Sequence, residues 1–104
     1  MQAAYDAAFS REMGCTPQEW LRWLPQAIGS HPWQQSGDAV LIQLHAHGVM
    51  LGELQIQWSV AAPRRIALMH LPRLLVQFSF TGLDASQRYQ FMRRFDLYMQ
   101  RGGG

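Results

Sequence analysis

The chain contains neither lysine nor asparagine, and its single cysteine is Cys15. A lone cysteine excludes an internal disulfide and agrees with a reducing compartment. All nine basic residues are arginine, yet the formal net charge is only +2. Arginine is suited to bidentate contacts with phosphate or carboxylate, but codon bias in a GC-rich genome would give the same composition. Composition therefore leaves open whether the arginines have a function.

Long apolar runs are also missing. No stretch approaches the roughly 20 apolar residues of a membrane-spanning helix, and the N-terminus lacks the basic and apolar regions of a signal peptide. We therefore expect a cytoplasmic protein with no membrane partner. A hydrophobic fraction of 48% with 15% charged residues argues against disorder, and 104 residues suit a single domain over residues 1–104.

The strong structural signals begin after residue 12. Residues 1–12 are weakly patterned and are expected to form a loosely ordered extension, so Met13 is kept as an alternative start. Thr16, Pro17 and Glu19 form a capping-box pattern that predicts a helix from Pro17. Pro25 should end or kink this helix near Leu24, because proline lacks the N–H that a helix interior needs.

Residues 38–80 alternate with the period of two that is typical of strands. Near Gly48, a three-residue loop or an equivalent bulge would pair Ile42 with Leu54 and Val40 with Ile56, which keeps the apolar side chains on one face. Further along, residues 61–65 are predicted to turn, residues 66–70 to form a short third strand, and residues 73–80 to form the fourth.

A second helix follows, with Asp84 as its N-cap and Gln87 three residues later. The stripe that predicts it consists of Phe91, Met92, Phe95, Tyr98 and Met99. Residues 102–104 are expected to be a frayed tail. The sequence thus predicts an α+β two-layer sandwich in the order helix, four-stranded antiparallel meander, helix, with both helices on one face of the sheet.

The polar face of this sheet is the first candidate site. An antiparallel sheet with one face in water is polar there by default, so a binding role is the less expected interpretation. Leu41, Leu75 and Met69 fall on the same face, and their clustering would indicate cover by a second chain or by residues 1–12. The candidate binding residues are Gln43, His45, Gln55, Gln57, Arg73 and Gln77.

Two further candidates concern metal and phosphate. His45 and His47 are weak metal candidates, because two histidines at i and i+2 on a strand share a face but no third ligand is placed beside them. The last helix carries four arginines that could contact phosphates. They are Arg88, Arg93, Arg94 and Arg101.

Catalytic motifs of the P-loop, nucleophile-elbow, dinucleotide-binding and zinc-protease types do not occur in the sequence. Catalysis is left open but is not expected, and no cofactor is predicted. The leading hypothesis is a non-enzymatic accessory or protein–protein interaction domain that forms a homodimer. It rests on a low charged fraction and abundant Trp, Met and Arg. The alternatives are nucleic-acid binding through the last helix and metal or small-ligand binding through His45.

Overall fold

A computed structural model describes residues 3–103, including the side chains of residues 3–100. It shows an α+β fold with a five-stranded antiparallel sheet and two helices. The strands lie in the order β1-β5-β4-β3-β2. In chain order the elements are β1 (Ala8–Met13), α1 (Pro17–Ile28), β2 (Trp33–Ser36), β3 (Ala39–Ala46), β4 (Val49–Ile66), β5 (Met69–Thr81) and α2 (Ala85–Gly103).

Both helices begin with the reciprocal caps that the sequence predicts. The Thr16 hydroxyl accepts from the Glu19 N–H at 3.1 Å, and the Glu19 carboxylate accepts from the Thr16 N–H at 3.0 Å. Asp84 and Gln87 exchange the same pair of bonds, each of 2.9 Å. These bonds satisfy donors that a helix start leaves unpaired. Neither helix is long and apolar enough to cross a membrane, as far as the chain is described.

Helix α1 does not end near Leu24, and helix α2 runs further than expected. Helix α1 continues through Pro25 to Ile28, and the Gly29 N–H donates to the Pro25 carbonyl at 3.1 Å. Pro25 and the residue one turn before it, Leu21, are both exposed, so the interruption falls on the solvent side of the helix. Helix α2 extends to Gly103, past the start of the expected frayed tail. Gly104 lies outside the described residues.

The predicted register of the β3–β4 hairpin is confirmed. Ile42 pairs with Leu54 and Val40 with Ile56. The chain uses the bulge rather than the three-residue loop, since the register shifts after Leu44 and the turn itself contains His47 and Gly48. Both turn residues have positive φ, 53° and 75°, as in the tight turns that match strand twist.

The predicted count of four strands was wrong, because both edge strands were missed and residues 66–70 were counted as a strand of their own. Residues 1–12 were expected to be a loose extension, but residues 8–13 form β1 along β5, with Phe9 opposite Phe78. Its inward positions include Arg11, which breaks the apolar alternation that identifies a strand. Strand β2 has four residues, all before the alternating region 38–80, and places Trp33 opposite Ile42.

The predicted third strand, residues 66–70, is not a separate strand, because it contains the end of β4, the hairpin turn and the start of β5, and the predicted fourth strand continues β5. Strand β4 runs for 18 residues without turning at 61–65, and the turn lies at Ala67–Leu68, where Ile66 pairs with Met69. Pro63 lies in the middle of the turn predicted at 61–65. Pro63 instead lies where the register shifts between Ala61 and Arg64, and a bulge tolerates a residue without an N–H.

The apolar faces of the strands meet the two helices in one core. Trp20 of α1 contacts Trp58 of β4 and Phe95 of α2, with ring centroids 5.6 and 6.1 Å apart. Phe95 also meets Phe78 of β5 edge-on at 5.7 Å. Both helices therefore pack on the same side of the sheet. The inward strand residues are Val40, Ile42, Leu44, Leu54, Ile56, Trp58, Leu74, Val76, Phe78 and Phe80, none more than 7% exposed.

Candidate interaction surface

The most exposed apolar surface lies on the end of the β4–β5 hairpin, here called the arm (residues 62–70). Every residue of the arm is exposed. Leu68 at its tip is 98% exposed, and Met69 and Ile66 are 62% and 53% exposed. Strand alternation alone would direct Ile66 and Leu68 to the core side, but both are exposed in the structure.

Neighbouring apolar side chains that stay in water gain nothing from folding. Clusters of this kind on a soluble protein typically mark interaction sites. A two-stranded ribbon is also marginal by itself, so the sheet that continues into the arm must support it. The molecule measures 50 × 29 × 22 Å, and an elongated shape agrees with a projecting ribbon. The arm is therefore the first candidate for a docking element.

The sheet surface opposite the helices, here called the open face, carries the predicted polar residues. Gln43, Gln55, Gln57 and Gln77 are all exposed, and each alternates with buried neighbours along its strand. A shallow groove of about 330 Å³ crosses this face between β1, β5 and β4. It is lined by Ala8, Phe9, Ser10, Gln55, Gln57, Gln77, Phe78 and Ser79.

The apolar residues of the open face are spread along it. Leu41 pairs with Gln55, whereas Leu75 pairs with Ser59. These positions are four residues apart along β4, or about 13 Å, and two strands apart across the sheet. Leu41 and Leu75 are 40% and 46% exposed. They do not form a cluster. Residues 8–13 form the edge strand of the sheet and do not cover its open face.

Arg73, a predicted binding residue, joins the base of the arm to strand β1. Its guanidinium donates to both Glu12 carboxylate oxygens at 2.8 and 2.9 Å, and to the Ala62 carbonyl at 3.1 Å. Arg64 reaches the same carboxylate at 3.1 Å. The hydrogen bond from Arg73 is the main reason that the pKa of Glu12 lies below its ordinary value. Two arginines against one carboxylate leave this end of the open face positive.

The opposite end of β4 is apolar and then acidic. Val49 and Met50, next to the His47–Gly48 turn, are 60% and 49% exposed. Glu53 follows and alternates with buried Leu54, which places it on the open face. The two ends of β4 therefore resemble one another in exposed apolar character and differ in the sign of their charge.

The histidines are arranged differently from the expectation. His45 lines a cavity of about 160 Å³ together with His31 and with Phe91 and Arg94 of α2. The His31 Nδ1 accepts from the His45 backbone N–H at 3.1 Å. A neutral ring that accepts at Nδ1 carries its proton on Nε2 and has no lone pair left for a metal. His47 is separate from them, exposed in the hairpin turn.

The pKa of His31 is also shifted against the protonated form of the ring. Burial, with smaller contributions from His45 and Arg94, holds the pKa of His31 below its ordinary value. Among the described residues, no three or more His, Cys, Asp or Glu side chains come together as a metal site. The His31–His45 contact therefore joins the α1–β2 loop to β3.

The arginines of α2 are partly engaged within the molecule. Arg88 donates to the Tyr5 carbonyl at 2.8 Å. Arg94 donates to two carbonyls in the last turn of α1 at 3.2 and 3.4 Å. Arg93 is exposed, and the side chain of Arg101 lies outside the described residues. The predicted phosphate contacts thus include two arginines that hold other elements in place.

Sequence interpretation missed a buried polar cluster of Tyr5, Arg11 and Asp96. The Asp96 carboxylate is 2.5 Å from both the Tyr5 hydroxyl and an Arg11 guanidinium nitrogen. The Arg11 guanidinium also lies 5.1 Å from the centre of the Phe78 ring. Burial, and then the hydrogen bond to Asp96, raise the pKa of Tyr5 to about 12. The cluster attaches the N-terminal segment to α2.

One signal for this cluster was present in the sequence. Asp96 follows Met92 and Phe95 at helical spacing, so it falls on the apolar stripe of α2. A carboxylate at such a position requires a buried partner. Its partners lie 85 and 91 residues away in the sequence, beyond the range of local patterns.

Comparisons with protein-family models, with curated proteins and with solved structures give no significant match.

Proposed function

We propose that the protein is a non-enzymatic protein-interaction domain that docks through its arm and open face. The observation that carries this proposal is the exposed apolar tip of the arm, above all Leu68 at 98%. These side chains are not part of the core, because each of them is more than half exposed to solvent.

The rigid base of the arm supports the same proposal. A flexible loop would lose conformational freedom on binding, whereas a paired ribbon fixed at its base has already lost most of it. Here the ribbon continues two central strands, and Arg73 ties its base to Glu12. The base of the arm is therefore held by strand pairing and by this ion pair.

Protein is favoured over nucleic acid as the partner. Of the basic groups, Arg64 and Arg73 are paired with Glu12, and Arg88 and Arg94 donate to backbone carbonyls. A phosphate-binding surface needs several cations directed at solvent. Leucine, isoleucine and methionine at the tip suit an apolar protein surface instead.

Site-specific photocrosslinking tests the proposal. A photoreactive amino acid replaces Leu68 in the full chain, and irradiation of the native host cells should give a discrete crosslinked product. The matched control carries the same group at Leu97, a leucine of α2 that is 40% exposed. It should give no discrete product.

The proposal is wrong if the Leu68 position gives no more crosslinking to protein than the Leu97 position. A second readout uses the chain with Leu68→Ser, whose fold should be unchanged because the side chain contributes nothing to the core. That variant should elute like the wild type and lose the partner.

A further inference from the structure

The pattern of strand β4 identifies a partner for this surface. The strand runs the length of the open face from Val49 to Ile66. One end has exposed Val49 and Met50 followed by Glu53, and the other has Arg64 followed by exposed Ile66. If the strand is turned end for end, Glu53 and Arg64 exchange places, and each end of the strand is still apolar. We propose that the open face binds the open face of a second copy of this chain in a two-fold dimer, with each arm lying over the Val49–Met50 end of the other.

The symmetry follows from the register. The register shift before Arg64 brings the midpoint between Glu53 and Arg64 to Trp58, which lies opposite Val76 of β5. A two-fold axis in the interface, perpendicular to β4 at this point, lays each Glu53 against the partner's Arg64. Such an interface is isologous, so each pairing occurs twice. The opposite charges of the two ends thereby meet.

Leu75 lies close to this axis. It pairs with Ser59 and is 46% exposed. In the dimer the Leu75 side chains of the two copies lie one on each side of the axis, which buries both of them. Around the axis lie Gln57 and Gln77, also paired with one another. Each amide has donors and an acceptor, so glutamines can satisfy each other across a two-fold axis.

The charges of the two ends balance. Arg64 and Arg73 share the single carboxylate of Glu12, which leaves a net charge of about +1 at the arm end of the face. Glu53 supplies the compensating charge from the other copy. Both charge pairs lie towards the rim, where they fix orientation and speed encounter more than they add affinity.

The area available is sufficient for a specific dimer. A contact of about 40 Å along the strands and three strands wide, about 15 Å, covers roughly 600 Å² per copy or 1,200 Å² in total. That is the lower limit of stable interfaces. The apolar arm tips add to it at both ends.

Charge exchange between two variants tests this inference, which rests on the proposed function. Glu53→Arg and Arg64→Glu are made in the full chain, and masses are followed by light scattering and native mass spectrometry. The wild type should dimerise. Each variant alone should dimerise about tenfold or more weakly, because two like-charge contacts replace two opposite ones.

An equimolar mixture of the two variants should recover a heterodimer. In it, the new Arg faces the new Glu, and the remaining Arg64 faces the remaining Glu53, so both contacts are complementary. Arg22→Glu, an exposed change on α1, is the charge control and should dimerise like the wild type. Circular dichroism should show that all variants keep the fold.

The inference is overturned if the single variants dimerise normally or if their mixture gives no heterodimer. A wild type that stays monomeric at high concentration also overturns it. If Leu68 then still crosslinks to a different protein in cells, the proposed function stands without this partner. If instead the monomer floats with anionic phospholipid vesicles in a Leu68-dependent manner, both are wrong.

Discussion

Replacing Phe78 with alanine tests how the sheet and helices are joined. Phe78 is 1% exposed. It stacks on Phe9 at 4.7 Å, meets Phe95 edge-on at 5.7 Å, and lies under the Arg11 guanidinium at 5.1 Å. Buried Phe→Ala changes cost about 3–5 kcal/mol, and aromatic pairs add about 0.5–1.5 kcal/mol each. Two aromatic neighbours and one guanidinium place Phe78→Ala near the upper limit, about 4–5 kcal/mol.

The neighbouring Gln77 is the matched control. It lies on the open face, is exposed, and Gln77→Ala should change stability by less than about 0.5 kcal/mol. Urea unfolding at low protein concentration measures both. Since small domains have only about 5–15 kcal/mol of stability, Phe78→Leu provides a milder variant if the alanine form does not fold. Equal losses at the two positions would refute the assignment of faces.

Other predictions concern the polar contacts and one close approach. Tyr5→Phe removes the hydrogen bond to Asp96 and should cost about 1.5–3 kcal/mol at neutral pH. The pKa of Tyr5 is raised to about 12. The stabilisation that Tyr5 contributes is therefore complete below about pH 10 and is lost as the pH rises towards 12. Over this range the unfolding free energy of Tyr5→Phe should fall less steeply than that of the wild type. The pKa of His31 is lowered in the folded protein, so this histidine binds a proton more readily in the unfolded chain. Stability should fall as pH drops below about 6.5, and the fall should be smaller in His31→Gln by urea unfolding at pH 7.5 and 5.5. Gly52→Ala should cost about 1–3 kcal/mol in thermal unfolding, because its methyl group would overlap the Thr81 carbonyl oxygen. These assignments would be contradicted if the unfolding free energy of Tyr5→Phe or His31→Gln had the same pH dependence as that of the wild type. A Gly52→Ala variant as stable as the wild type would also contradict them.

Local patterns were sufficient for the helix starts and for the β3–β4 register. A capping box involves residues three apart, and strand parity involves neighbours across one turn. Thr16 with Glu19 and Ile42 opposite Leu54 are both of this kind. Such features depend on chemistry within a short segment, which the sequence displays directly.

Features that depend on distant partners were missed. Arg11 faces inward in β1 because Asp96 receives it, and without that partner the segment resembles a loose extension. The arm was missed for a related reason. The alternation of Ile66 and Leu68 shows that a strand forms, but only the positions of the helices show that nothing covers it.

The candidate surface was predicted in part. The glutamines of the open face followed from parity, and they lie where the alternation placed them. His45 did not, since the bulge after Leu44 interrupts the alternation and the residue lines the cavity with His31. The docking role of the arm and the pairing of two open faces are proposals that follow from the structure.

Thiol crosslinking at Leu75 tests the central claim most directly. The native Cys15 does not compete, because it is 2% exposed and burial raises the pKa of its thiol to about 11. A short bis-maleimide, which spans the roughly 10 Å between face-packed sheets, should rapidly link two copies of Leu75→Cys, since these residues lie next to each other across the axis. Leu21→Cys, 38% exposed on α1, is the control and should stay monomeric. Equal crosslinking of the two variants, or none at Leu75, would contradict the claim that the open face binds a second copy.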